Sequence, residues 1–260
     1  MIDLRHGDCL EVMKELEDGS VDCVVTSPPY NFNMNYGRYK DNLSYDSYLE
    51  IMNDVFKEIR RLLSPKGHFF LNVGFNSKNP WLAMDIASLL RSDFILRDNI
   101  CWVKAIQENE QVRGHSQVTP SKRHLMKSWE HVFHFVLDDS VLLSENSHIP
   151  LNEKYREVNK KRYGKDTRKP IDSWFVPYET IGCWGNKTKK DTKANHPAIY
   201  PEKLVEMCLD MCDDVDMVLD PFVGTGTTAV VCSKRKIDCI GIDIDEEYLS
   251  LAKERITSVG

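Results

Sequence analysis

The feature that most restricts this chain lies near its C-terminal end. Val215 to Leu219 reads as a buried strand and runs into Asp220-Pro221-Phe222-Val223-Gly224-Thr225-Gly226-Thr227-Thr228. A helical stretch continues to Lys234, and Cys239-Ile240-Gly241-Ile242-Asp243 forms a second strand. Strand, glycine turn, helix and strand make one crossover unit, the building block of parallel sheets covered by helices. Gly224 and Gly226 let the backbone turn tightly and approach a ligand with no Cβ in the way. The helix opening at Thr227 presents free N–H groups. Asp243 stands 19 residues after Gly224, close to the spacing of about 20 at which an acid grips ribose hydroxyls. Together these features point to a nucleoside-type cofactor. Ala229 replaces the third glycine of a dinucleotide fingerprint and no Lys follows Gly226, so this is not a phosphate-binding P-loop.

The rest of the chain keeps the same alternation. Asp22 to Thr26 is a strand, and Tyr45 to Leu63 has apolar residues at a helical period, ending at the turn Ser64-Pro65-Lys66-Gly67. Further strands are expected at His68–Val73, Phe94–Val103 and His131–Leu137. Helices are expected at Trp81–Leu90, Pro201–Met211 and Glu246–Ile256, and 105–128 reads as polar and loop-rich. The expected fold class is therefore α/β: a mostly parallel sheet with helices on both faces. The 260 residues suffice for one large domain of this kind. From Asp138 to Asn195 the rhythm breaks, and Pro150, Pro170 and Pro177 interleave with Tyr155, Tyr163, Trp174, Phe175, Tyr178 and Trp184. We read 138–195 as an inserted lobe, with 1–137 and 196–260 forming the main domain.

Charge follows the same division. The chain carries a net −6, which by itself argues against a nucleic-acid partner. Residues 151–193, however, hold 12 Lys/Arg against 6 Asp/Glu, a local excess of +6 that leaves −12 for the remainder. The eight cysteines show no C-x-x-C spacing and read as buried reduced thiols, with no metal site expected. No apolar run is long enough to span a membrane and the N-terminus lacks a signal-peptide pattern, so a cytoplasmic location is expected.

The second chemical signal is Thr26-Ser27-Pro28-Pro29-Tyr30 at the C-terminal end of a strand, where open α/β sheets bind ligands. Two consecutive prolines fix φ and remove two N–H donors, leaving the carbonyls of Ser27 and Pro28 rigidly aimed. A hydroxyl before this turn and an aromatic ring after it suit a planar ring that bears an amino group. Ser27 and a proline carbonyl accept its hydrogen bonds while Tyr30 stacks on the ring.

These two motifs, in this order, resemble those of the S-adenosylmethionine-dependent amino-methyltransferases that act on DNA bases. With the Ser-Pro-Pro-Tyr motif ahead of the glycine turn, the chain is similar to the circularly permuted β group. Gly7-Asp8-Cys9-Leu10, Leu63-Ser64-Pro65-Lys66-Gly67 and His196-Pro197-Ala198-Ile199-Tyr200-Pro201 agree with it. The resemblance implies a Rossmann-like methyltransferase sheet with an inserted DNA-recognition lobe. It implies that Asp220, Gly224, Gly226 and Thr227 hold the methionine end of S-adenosylmethionine and Asp243 its ribose. Asp8 would bind the adenine amino group, Phe222 would pack near that ring, and His196 would belong to the segment closing over the cofactor. Ser27, Pro28, Pro29 and Tyr30 would hold a flipped target base. Ser27, where many adenine-modifying relatives resemble Asp-Pro-Pro-Tyr, tilts the target towards the 4-amino group of cytosine. The 6-amino group of adenine, RNA and a protein glutamine remain alternatives.

The partner implied is double-stranded DNA. Phosphate contacts are expected from Arg38 and Lys40 in the loop after Tyr30, from Lys122 and Arg123, and from Lys160, Lys161, Arg162, Arg168 and Lys169 in the lobe. The resemblance also makes a cognate restriction endonuclease and a homodimer expectations.

Overall fold

A computed structural model describes residues 1–36, 39–109, 111–114, 122–150, 153–164, 167–177 and 200–259. The chain opens with β1 (Ile2–His6), α1 (Cys9–Met13) and β2 (Val21–Thr26). A short ribbon, β3 (Asn35–Tyr36) with β4 (Tyr39–Lys40), precedes α2 (Tyr45–Leu62), β5 (Leu63–Val73), α3 (Leu82–Leu89) and β6 (Ile95–Val103). A hairpin, β7 (Ala105–Glu108) and β8 (Gln111–Gly114), leads to β9 (Trp129–Val136). Then come β10 (Ile149–Pro150), α4 (Glu153–Tyr163), β11 (Thr167–Arg168) and β12 (Ser173–Phe175). The chain closes with α5 (Glu202–Asp210), β13 (Met217–Asp220), α6 (Thr227–Arg235), β14 (Asp238–Asp243) and α7 (Glu246–Val259).

Eight strands form one sheet in the order β1-β14-β13-β2-β5-β9-β6-β12. Every neighbouring pair is parallel except the two made by β9, which runs antiparallel to both β5 and β6. The α/β expectation holds, and period-two burial explains why both faces are covered. Val24, Phe69, Leu71, Leu219 and Ile242 face one way, onto Met13 of α1, Met52 and Val55 of α2 and Leu82 of α3. Their neighbours Cys23, Val25, Phe70, Val218 and Cys239 face the other way, onto Val205 of α5, Ala229 of α6 and Leu249 of α7. Strands buried on both faces read as continuous apolar runs, which is what made them legible.

Three local expectations need correction. Ser64 to Gly67 is no free turn: β5 begins at Leu63, paired with Val21, and the register slips before Cys23 meets His68. The extra residues of β5 form an irregular bulge there, so pairing with β2 is interrupted across the Pro-Gly stretch and resumes at His68. The 105–128 segment carries the β7–β8 hairpin as well as loop. Within 138–195, β12 joins the main sheet beside β6, and the Trp102 indole N–H donates to the Val176 carbonyl at 2.8 Å. Trp174, only 4% exposed, completes that packing.

The sheet order also fixes where a ligand can sit. From β13 the chain crosses through α6 to β14 on one side, and from β2 through α2 to β5 on the other. The two crossovers diverge between β13 and β2, the topological switch point of the sheet. A crevice opens outside the C-terminal ends of strands at such a point.

Candidate functional site

A cleft of about 1070 Å³, counted out to its open mouth, lies at this switch point. Its walls come from four strand ends: Gly7 and Asp8 after β1, Ser27 to Tyr30 after β2, Pro221 to Thr225 after β13, and Asp243 at the end of β14. Residues from opposite ends of the chain meet because these parallel strands all end on the same edge. Ile51 and Met52 of α2, with Phe222 and Ile244, add apolar surface.

At one end is the glycine turn. Gly224 and Gly226 adopt φ of +50° and +85°, a conformation that costs an L side chain about 1–2 kcal/mol. A Cβ on Gly226 would stand 2.6 Å from the Ala252 methyl, so α6 and α7 approach here only because that atom is missing. Arg255, 4% exposed, locks the turn from beneath. Its guanidinium donates to the Thr225 carbonyl at 2.7 Å and to the Thr225 and Thr227 hydroxyls at 3.2 Å. Thr227, at the first turn of α6, faces the cleft, so the positive end of that helix dipole looks into it.

Asp243 accepts the Gly224 N–H at 2.9 Å through one oxygen and the Asp245 N–H at 2.8 Å through the other. A carboxylate offers about four lone-pair directions, so acceptor capacity remains for ligand hydroxyls. Burial pushes Asp243 up to about 6, against the lowering effect of those N–H groups, and Asp245 and Asp220 add to the rise. Asp8 caps α1 by accepting the Leu10 N–H at 2.8 Å, and its exposed carboxylate lines the cleft at the strand end next to that of Asp243, whose carbonyl accepts the Gly7 N–H at 3.0 Å. Cys9, beside it, is pushed up to about 12 by burial first and by Asp8 second, so at neutral pH it remains an un-nucleophilic thiol.

Asp220, expected at the cofactor, does not line the cleft. It is fully buried and accepts from the Thr26 hydroxyl (2.7 Å), the Thr228 hydroxyl (2.7 Å), the Tyr200 hydroxyl (2.8 Å) and the Phe222 N–H (3.1 Å). These bonds tie β2, the glycine turn and the segment before α5 into one unit. Asp220 therefore shapes the site from behind, and Gly226 likewise acts through the turn.

The Ser-Pro-Pro-Tyr segment forms the other end. Tyr48 of α2 donates its hydroxyl to the Pro29 carbonyl at 2.8 Å, fixing the double-proline turn. The Ser27 and Tyr30 hydroxyls are 2.9 Å apart. Tyr30 is 8% exposed, with its ring edge against Phe32 and its hydroxyl reaching Asn72 Oδ1 at 3.1 Å and Glu130 Oε2 at 3.3 Å. The loop that follows is closed by Asp41, 2% exposed, which accepts the N–H groups of Asn31, Phe32 and Met34 at 2.8–3.0 Å.

Asp41, Arg255, Tyr48, Asn72 and Glu130 were not found from the sequence. Arg255, Tyr48, Asn72 and Glu130 act on residues 19 or more positions away, and Asp41 on a loop seven to ten residues before it, at no recognisable spacing. Of the expected DNA contacts, Lys122, Arg123, Lys160, Lys161, Arg162, Arg168 and Lys169 are exposed. Arg38 and His196 lie outside the described residues, as does the side chain of Lys40. Among the described residues no cluster of His, Cys, Asp or Glu could hold a metal ion, and no helix is long and apolar enough to cross a membrane.

Comparison with known proteins gives a consistent result. The profile of a family described as DNA methylase matches residues 21–254. The chain is 32% identical to the Type II methyltransferase M.HpaI of Haemophilus parainfluenzae, over 96% of this chain and 73% of that protein. It is 29% identical to the Type II methyltransferase M.ScaI of Streptomyces caespitosus, over 97% and 80%. Among solved structures, the cytosine-N4-specific PvuII DNA methyltransferase shares the fold with a TM-score of 0.69 at 19% identity, over 99% of this chain and 90% of that one. A DNA modification methylase of Thermus thermophilus superposes with a TM-score of 0.66 at 24% identity, covering 100% and 96%.

Proposed function

The chain belongs to the DNA methylase family of N6 and N4 amino-methyltransferases, and on that premise we propose that it transfers a methyl group from S-adenosylmethionine to the exocyclic 4-amino group of cytosine in DNA. The observation that carries the choice of base is Ser27. Its uncharged hydroxyl lines the glycine-turn cleft, at the position where many adenine-modifying relatives resemble Asp-Pro-Pro-Tyr.

The cleft suits the cofactor in its donor set: a helix N-terminus for a carboxylate, an acid at the far strand end for two hydroxyls, and apolar walls for a purine. Gly224, Thr225 and Thr227 would hold the methionine end, Asp243 the ribose and Asp8 the adenine amino group, with Phe222 against the ring. When bound, S-adenosylmethionine supplies an electrophilic methyl group on a positively charged sulfur.

The protein's part is orientation and electrostatics. A ring amine is a poor nucleophile because its lone pair is delocalised into the ring. The Ser27 hydroxyl and the Pro28 carbonyl accept its two N–H bonds, which favours a pyramidal nitrogen with its lone pair aimed along the cleft. The Pro28-Pro29 turn cannot swing, because its φ angles are fixed and Tyr48 holds the Pro29 carbonyl. Cys9 takes no covalent role. We assign phosphate contacts to Lys122, Arg123, Lys160, Lys161, Arg162, Arg168 and Lys169, together with Arg38 and Lys40, which follow Tyr30 in the sequence. The 138–195 region, apart from β12 in the main sheet, would supply the recognition lobe.

The test is the identity of the product. Plasmid DNA is incubated with protein and cofactor, digested to nucleosides and analysed by mass. N4-methyl-deoxycytidine is expected, and it should be absent with Ser27→Ala, whose cofactor affinity stays near that of the wild type. N6-methyl-deoxyadenosine would overturn the choice of base, and label found only in RNA or protein would overturn DNA as substrate.

A further inference from the structure

Glu130 lies on β9, 100 residues after Tyr30, yet it reaches the back of the Ser-Pro-Pro-Tyr turn. One carboxylate oxygen, Oε2, accepts the Asn72 amide at 3.1 Å and lies 3.3 Å from the Tyr30 hydroxyl. The other, Oε1, is ion-paired with Lys104, whose side chain is 17% exposed against 18% for Glu130. The pair is therefore largely desolvated, and its charge is screened less than a surface charge. Gly74 makes room for it: a Cβ there would stand 2.7 Å from the Tyr30 ring and 3.0 Å from Glu130 Oε1.

The directions of these hydrogen bonds are constrained. The Asn72 amide nitrogen donates to Glu130 and to the His131 carbonyl at 3.0 Å, so its Oδ1 is the atom turned to Tyr30. The Tyr30 oxygen thus faces Asn72 Oδ1 at 3.1 Å, the Asn72 carbonyl at 3.3 Å and Glu130 Oε2 at 3.3 Å, none of which can donate. A phenol has one proton, and it goes to this acceptor cluster. The Ser27 proton then goes to Tyr30 across their 2.9 Å contact. What Ser27 presents to the cleft is its lone pairs.

Building on the amino-methyltransferase reading, we propose that Glu130 is a positioning residue for the transfer. Acting through Tyr30, it commits Ser27 to accepting the substrate amine; with Lys104 on its far oxygen, the pair turns its negative end, Oε2, towards Tyr30. That negative end lies behind an amine whose nitrogen becomes positive as the N–CH₃ bond forms and the donor's S–CH₃ bond breaks, a developing charge it stabilises, and the surplus nitrogen proton then passes to solvent. Lys104 and Gly74 hold it in place.

A double-mutant cycle tests this, with Glu130→Gln, Tyr30→Phe and their combination. Single-turnover methyl transfer, cofactor and DNA dissociation constants and thermal unfolding are read for each. Glu130→Gln is expected to slow transfer about 10- to 100-fold, the range for losing a hydrogen-bonded charge, with both dissociation constants within about twofold of wild type. In the Tyr30→Phe background the same change should cost less than about threefold, because its route to Ser27 is already cut. Lys104→Met/Glu130→Gln, which leaves no unpaired ammonium, should remain as slow as Glu130→Gln. Wild-type rates in Glu130→Gln, a full additive loss in the double variant, or recovery in Lys104→Met/Glu130→Gln would each overturn the proposal. The cycle is run on whichever acceptor the wild-type enzyme methylates, so failure of the cytosine assignment leaves this test intact.

Discussion

Asp243 makes cofactor affinity depend on pH in a window where most carboxylates are silent. Its folded-state value is pushed up to about 6, chiefly by burial, against about 3.9 for an exposed aspartate. In the free protein the native state therefore holds this proton more tightly than the unfolded chain does. Between about pH 4 and pH 6 Asp243 makes the empty protein less stable as pH rises, by up to about 3 kcal/mol. A ligand whose hydroxyls donate to Asp243 binds the ionised form, so affinity runs the other way. At pH 7 about nine-tenths of Asp243 is ionised and at pH 5 about one-tenth, so the cofactor dissociation constant should rise about tenfold on that descent. Isothermal titration calorimetry with S-adenosylmethionine or its demethylated product measures this directly. At pH 5.5, buffers of different ionisation enthalpy should reveal release of about 0.8 proton per ligand bound. Asp243→Asn keeps the side chain's size but turns its NH₂ towards one of the two backbone N–H groups that Asp243 accepts; it weakens binding at pH 7 about tenfold or more and, having no proton to lose, flattens the pH dependence. Asp220 and Asp245, which raise Asp243, remain in that variant and serve as the control. A wild-type dissociation constant that stays level from pH 7 to pH 5, or an equal slope in Asp243→Asn, refutes the assignment of Asp243 to the cofactor.

Three further outcomes follow from the geometry. Gly226→Ala places a methyl 2.6 Å from the Ala252 Cβ at a φ of +85°, so urea unfolding should show a loss of about 2–5 kcal/mol from strain and overpacking together; a loss below about 1 would mean that α6 and α7 move apart freely. Arg255→Met removes the donors that hold Thr225 and Thr227 and should lower stability by about 3 kcal/mol, weakening cofactor binding as well; unchanged affinity would show that the turn holds its shape alone. Lys160→Gln/Lys161→Gln should weaken DNA binding alike for all sequences and reduce the slope of log affinity against log salt by about 0.9 for each phosphate no longer neutralised; an unchanged slope removes this face of α4 from the interface.

How much of this was legible in the chain depends on the range of the signal. α6 and β14 were read to within a residue, and β13 to within two at its start, because strand, Gly224, Gly226 and Asp243 form one local unit with its own spacing. β1 and α1 were not read as elements. β1 is only five residues, none of them fully buried, and it sits at the edge against β14. The Ser64–Gly67 stretch looked like a turn because Pro and Gly punctuate most turns; the pairing of Leu63 with Val21 overrides that local preference. Asp220 was assigned by motif to the ligand. Only the fold reveals that Thr26, Tyr200 and Thr228 surround it and consume its acceptors.

The antiparallel strand β9 explains why the back of the site was the least legible part. In an all-parallel sheet, the strand end that shapes a ligand cleft is the C-terminal end, and a reader of sequence looks there for polar residues. β9 runs the other way between β5 and β6, so its first residues arrive at the cleft edge: Val73 pairs with His131 and Val103 with Trp129. Glu130 therefore reaches the same edge as Asn72, near the end of β5, and as Lys104, which directly follows β6. The positions of Asn72 and Lys104 are those of ordinary strand-end polar residues. That of Glu130 is the start of a strand, where a charge reads as a solvated boundary. One reversed strand thus converts a boundary glutamate into the acceptor behind Tyr30, 3.3 Å from its hydroxyl, and no spacing along the chain records that step.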